Sequence, residues 1–125
     1  MVLQKERHPL LVCLAAVLEM DRPVQAVSET RRSGRRWSFR CLRSIEQWKV
    51  MRAGNSGFVF GQNTGWKWKF YDTRSCTHVI VSRKDGVYQI WDYAGMDPVE
   101  VTFSRRTATL REPASGTRME YQVEI

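Results

Sequence analysis

Cys76 and His78 are the residues of this 125-residue chain whose types and spacing could do chemistry. Residues two apart on a strand point to the same face. The imidazole could then activate the thiol as a nucleophile, or both could ligate a metal. A structural zinc site takes about four ligands, and no second ligand pair stands at usable spacing. The favoured reading is a small buried cysteine beside a half-buried histidine. The other histidine, His8, is expected to be exposed. Asp72, Asp92 and Asp97 lie near turns, where an aspartate ordinarily bonds backbone amides; any two could also pair for acid–base work. No phosphate loop, nucleophile elbow or kinase signature is present. No catalytic residue, metal or cofactor is assigned, and an enzyme is the less favoured class.

The charge points to binding instead. The net charge of +7 is concentrated in residues 31–52, where Arg31, Arg32, Arg35, Arg36, Arg40, Arg43, Lys49 and Arg52 face one acid, Glu46. Over the rest of the chain cations and acids are equal in number. Arginine offers a planar fork of donors that fits phosphate and carboxylate and stacks on aromatic rings. Arg31, Arg32, Arg35, Arg36, Arg40 and Arg43 are therefore the candidate anion-binding residues, with Trp37 and Phe39 as candidate stacking partners. The expected partner is an anionic macromolecule, RNA or DNA first, an acidic protein or phospholipid surface next. The competing reading is a solvated basic loop that keeps the protein in solution. Ser38 follows Arg35-Arg36-Trp37, a pattern like that favoured by basophilic kinases.

A glycine–aromatic stretch follows, Gly54 to Tyr71. Phe58 and Phe60 would share one strand face, as would Trp66, Trp68 and Phe70. A row turned to solvent beside the arginines would be a stacking platform for bases. Alternation with Lys67 and Lys69 favours placing the rings in the core of the sheet. The Gly-Phe-Val-Phe piece resembles the aromatic strand of cold-shock and RRM domains without their full pattern. The rhythm of Trp68 to Phe103 resembles the meander of tubby-like and LURP-one-related barrels. That resemblance covers about a third of the chain and implies a closed barrel around a hydrophobic helix, with phospholipid contact.

The elements that must position these residues are mostly strands. Apolar residues are 42% of the chain, with five Trp, five Phe and four Tyr. This is enough for a single domain with its own core. From residue 37 onward the period is two: Trp37, Phe39 and Cys41; Trp66, Trp68 and Phe70; Val99, Val101 and Phe103; Met119, Tyr121, Val123 and Ile125. Alternation means one face in the core and one in water. Residues 77–81 and 87–93 add two runs joined by Asp85-Gly86, a pair suited to a two-residue hairpin turn. Ser44-Ile45-Glu46-Gln47 has the form of a capping box, so residues 45–53 read either as a short second helix or as a further strand.

The N-terminal segment reads in two ways. Leu10, Leu11, Leu14, Val17 and Leu18 form a helical stripe after Pro9, giving one helix packed on a sheet. Alternatively residues 1–26 are a cleaved signal peptide, with Val24-Gln25-Ala26 as the cut site. Loss of Cys13 would then leave Cys41 and Cys76 as a possible pair; otherwise three reduced thiols fit a cytosolic chain. The apolar run is too short to span a bilayer.

The expectation is one mainly β domain: an antiparallel sandwich or barrel over 37–125, an N-terminal helix within 1–26 and a basic loop over 27–36. The expected function is a non-enzymatic binding module for an anionic partner, in cytoplasm or nucleus. The alternative is a secreted or periplasmic β domain that binds a protein or small apolar ligand. An enzyme built on Cys76 and His78 comes third.

Overall fold

In the computed structural model, residues 4–31, 34–54, 57–95 and 97–125 are described, with side chains from Arg7 onward. Helix α1 (Gln4–Met20) comes first. It is followed by β1 (Ala26–Glu29), β2 (Arg36–Arg43), β3 (Gln47–Arg52), β4 (Val59–Asn63) and β5 (Lys67–Asp72). Then come β6 (Thr77–Lys84), β7 (Val87–Asp92), β8 (Pro98–Ser104), β9 (Thr107–Arg111) and β10 (Arg118–Glu124). From β2 to β10 each strand pairs antiparallel with its neighbour in sequence. β1 lies between β2 and β10 and closes the sheet into a barrel.

The period-two pattern becomes inside and outside. Trp37, Phe39, Cys41, Trp48, Val50, Phe70, Val79, Val81, Ile90, Val99, Val101, Leu110, Tyr121 and Val123 all turn inward and are buried. Alternation along every strand sends their neighbours outward. A barrel of about eight strands is filled by its own side chains. The wider bore here is filled by α1. Every residue from Val12 to Val17 is 0% exposed, so the helix is enclosed on all sides rather than along one stripe. Val12, Cys13, Ala15 and Ala16, outside the expected stripe, are apolar and pack against the remaining wall. A helix apolar all round is a buried helix.

Helix and strands define two mouths. At the mouth holding the start of α1, loops leave β3, β5, β7 and β9. At the other mouth, hairpins join β2–β3, β4–β5, β6–β7 and β8–β9. The expected turn at Asp85-Gly86 is present, with φ of 53° and 79°, the left-handed pair that matches strand twist.

One choice about local structure is settled and two expectations are corrected. Residues 45–53 do not form a helix. Ser44 N donates to Gln47 O at 3.0 Å in a hairpin turn, and β3 follows. Trp48 and Val50 alternate with Lys49 and Met51, and pairing with both β2 and β4 outweighs the local capping signal. Residues 27–36 are not all loop: Val27 turns inward at 0% exposure and Ala26–Glu29 closes the barrel. His8 is not exposed; it is fully buried, with Nε2 3.3 Å from Glu112 Oε1. No described helix is long and apolar enough to cross a membrane.

Candidate functional site

The arginine segment does not present one bare patch. Arg36 holds Glu124 bidentately, Nε to Oε2 at 2.8 Å and Nη2 to Oε1 at 3.2 Å, and donates from Nη1 to Ser38 at 2.9 Å. Hydrogen bonding from Arg36 keeps the Glu124 carboxyl below the usual carboxylate range. Arg31 lies 3.8 Å from Glu120 and Arg43 lies 2.5 Å from Asp21. Arg35 sits over the Trp37 ring at 4.9 Å, and Arg43 over Trp48 at 5.4 Å. Arg40 is exposed on the outer face of β2. Arg32 lies outside the described residues. Trp37 and Phe39 point into the bore, at 9% and 7% exposure, so their rings pack the core and face no ligand on the outer wall.

A different surface collects rings and cations. The strand register aligns Leu42, Lys49, Phe60, Tyr71 and His78 in one outward row across β2 to β6. A parallel row runs through Gln47, Gln62, Lys69, Ile80 and Trp91. The rings touch in sequence: Phe58–Phe60 at 5.8 Å, Phe60–Tyr71 at 5.9 Å and Tyr71–His78 at 5.1 Å. Lys49 Nζ lies 4.1 Å from the Phe58 centroid. Trp91 is 44% exposed and Tyr93 is 50% exposed, with centroids 6.2 Å apart. Soluble surfaces rarely leave so many large apolar groups together outside.

This face also has one sign of charge. In β3 to β7 the acids are Asp72 and Asp92, and both turn inward. Every outward charged position on these strands is a cation: Lys49, Lys67, Lys69 and Lys84. On the opposite wall, β8 to β10 and β1 present threonines, glutamines and paired charges such as Arg111–Glu100 at 2.7 Å. The glycine–aromatic stretch thus divides. Phe58 and Phe60 lie outside, Trp68 and Phe70 face the bore, and Trp66 stands 77% exposed on the β4–β5 hairpin. Sequence reasoning missed Tyr71, His78, Ile80 and Trp91 as members of this face. Its legible signal was the absence of outward acids, visible only once inward and outward positions were assigned along each strand.

The face leads into the mouth beside the helix start. There Arg7, 6% exposed, donates to Asp92 and to Asp72 Oδ2, each with a contact of 2.7 Å. Burial alone would lower the Arg7 pKa, but the two carboxylates offset this and raise it, so the guanidinium stays charged. Each aspartate also accepts a backbone amide two residues on: Arg74 N at 2.9 Å for Asp72, Ala94 N at 3.1 Å for Asp92. They are turn caps that also hold Arg7. Beside them lies a cavity of about 220 Å³ lined by Arg7, Arg52, Phe58, Asp72, Arg74 and Ser75, among others.

Of the remaining candidates, Cys76 is not the buried thiol expected and lies in a turn rather than on the strand that carries His78. Cys76 is exposed in the β5–β6 turn at φ 57°, with Sγ 3.6 Å from Thr73 O, whereas the His78 ring packs on Tyr71. Cys41 meets Cys13 rather than Cys76, with sulfurs 3.9 Å apart. Among the described residues no three His, Cys, Asp or Glu side chains gather as a metal site. No protein-family model matches the chain, and neither a curated protein nor a solved structure matches it.

Proposed function

We propose that this chain is a non-enzymatic binding module for single-stranded nucleic acid, contacted on the outer face of β2 to β6. The observation that carries the reading is the ring row Phe58–Phe60–Tyr71–His78 on a wall whose outward charges are all positive. Bases stack on Phe60 and Tyr71, and Lys49, Lys69 and Arg40 meet the backbone. Stacking contributes about 1–3 kcal/mol per base and tolerates any sequence, while the cations add salt-dependent attraction. Among the described candidate arginines, Arg40 borders this face; Arg31, Arg36 and Arg43 are engaged by Glu120, Glu124 and Asp21. A cytoplasmic or nuclear setting accompanies this reading. Three unbridged cysteines support it, as does a core helix that cleavage after Ala26 would remove.

The test is binding of labelled single-stranded RNA and DNA by the full chain at low and moderate salt. Tight binding that weakens steeply with salt is expected. Phe60→Ala with Tyr71→Ala should weaken it at least fivefold in a chain that stays folded at the assay temperature, and Lys49→Glu with Lys69→Glu should flatten the salt dependence. No binding at low salt would overturn the reading. Charge reversal at Arg36 is a poor probe, because it sets two carboxylates against each other at Glu124.

A second reading rests on the other mouth. Ile45 is 98% exposed and Trp66 77% exposed on two hairpin tips, and Lys67 lies 5.0 Å from the Trp66 ring. Exposed apolar tips, one with Lys67 at its ring, suit an anionic phospholipid surface. Sedimentation with phosphatidylserine vesicles, lost in Ile45→Ser with Trp66→Ser, would select it.

A further inference from the structure

The cavity at the helix-start mouth has arginines in its wall, an apolar floor and a rim tied by backbone hydrogen bonds. Arg7, Arg52 and Arg74 line it together with Asp72, and because Arg7 is shared between Asp72 and Asp92, the cations that set the sign of the wall are Arg52 and Arg74. Leu10, Val50 and Val59, all buried core residues, form its floor, so it is a dead end rather than a passage. Its volume of about 220 Å³ equals roughly seven waters at ~30 Å³ each, room for one phosphate group and the sugar that carries it.

The rim is held by the backbone. Thr73 N donates to Phe58 O at 3.0 Å, and Thr73 Oγ1 accepts from Phe58 N at 2.9 Å. Arg74 lies across Gly57: a Cβ there would sit 2.5 Å from Arg74 Cγ, and Gly57 has φ +95°. The stem of Arg74 thus packs on the Gly57 backbone at the opening. A guanidinium carries five N–H donors. Three of Arg7's serve Asp72 and Asp92, which leaves one each on Nη1 and Nη2. Phe58 lines the cavity and also touches Phe60, so the ring row ends at its opening.

We propose that this cavity, walled by Arg7, Arg52, Arg74 and Ser75, seats the terminal phosphate monoester of a strand lying on the ring row. This rests on the nucleic-acid reading above. A monoester carries nearly two negative charges and three strong acceptor oxygens, whereas an internal diester carries one charge and would have to pass through the floor. Arginine forks match a terminal phosphate by paired, charge-assisted hydrogen bonds.

The test uses one oligonucleotide sequence with a 5′-phosphate, a 3′-phosphate or hydroxyls at both ends, against wild type, Arg74→Ala and Phe60→Ala. One phosphorylated end should bind wild type about tenfold tighter than the hydroxyl form. Arg74→Ala should lose that preference and keep the hydroxyl affinity. Phe60→Ala should weaken all three and keep the ratio. Equal affinities for all three oligonucleotides in wild type would overturn the pocket while leaving the ring row intact. If no oligonucleotide binds, titration with a nucleoside monophosphate decides the pocket alone. Saturable NMR shifts at Gly57 and Ser75, absent in Arg74→Ala, support it, and their absence removes it.

Discussion

Arg7 Nε and Nη2 donate to the two carboxylate oxygens of Asp92 at 2.7 and 3.0 Å, across 85 residues of chain. With Nη1 on Asp72, one side chain of α1 is tied to the ends of β5 and β7. The apolar surface of the helix would accept many rotations inside a greasy bore. A fork held by two capped aspartates selects one. Arg7→Met leaves both carboxylates buried and unpaired, and breaking a buried pair from one side costs about 3–5 kcal/mol. Adding Asp72→Asn and Asp92→Asn to Arg7→Met should recover much of this, because the amide oxygens still cap Arg74 and Ala94. Urea denaturation of the single and triple variants measures both. An Arg7→Met chain as stable as wild type would mean the fork does not hold the helix.

Cys13 and Cys41 differ from Cys76 in reach. Cys13 is on α1 at 0% exposure and Cys41 on β2 at 7%. Burial also pushes the Cys13 thiol up, which keeps it in the unreactive form. Cys76 is exposed. Iodoacetamide at neutral pH should therefore modify one thiol in the native chain, Cys76, and all three in denaturant. Mass spectrometry of tryptic peptides reads the outcome. Rapid native modification of Cys13 would show that α1 leaves the bore.

The phenols of Tyr88 and Tyr121 should govern stability in alkali. Burial pushes both up, aided by Glu19 at Tyr88 and by Glu29 and Glu112 at Tyr121. Tyr88 also donates to Glu19 Oε1 at 2.9 Å. A folded pKa above the unfolded value of about 10 means these groups favour folding below that pH, and the benefit is lost as pH rises beyond it. Ultraviolet titration should show Tyr88 and Tyr121 ionising only as the chain unfolds. Tyr88→Phe should shift the alkaline midpoint upward. Ionisation of both phenols near pH 10 in the folded chain would contradict this.

The fold was legible wherever a strand alternates cleanly, and β2, β8 and β10 follow the pattern of their sequence. Three features were hidden for physical reasons. The helix-breaking evidence over 45–53 is tertiary: Trp48 and Val50 need β2 and β4 beside them before a strand outcompetes a capping box. Closure depends on β1, four residues with little local signature. The site was hidden because charge was read along the chain. Glu120, Glu124 and Asp21 are distant in sequence, yet they neutralise Arg31, Arg36 and Arg43 in space. Lys49 reads with the arginines, Lys67 and Lys69 read as the outward half of an alternation, and the three become one face only through register.

Register also makes the bore and the ring row separable, and Gly61 tests this. Phe60 pairs with Tyr71 outside, and the next pair, Gly61 and Phe70, faces inside. A Cβ on Gly61 would lie 2.2 Å from the Phe70 ring, itself 0% exposed. That ring is enclosed by core and cannot swing aside without displacing it. Gly61→Ala should then cost about 1–3 kcal/mol by overpacking, and Phe70→Leu alone a similar amount through lost packing. Combined, they should recover part of the loss, since the smaller side chain vacates the space the methyl needs. Thermal denaturation of the cycle measures the coupling. Ligand affinity of the double variant should stay at the wild-type level, because Phe60 and Tyr71 keep their outward positions. A double variant that regains stability but loses affinity would mean that the ring row depends on the packing beneath it.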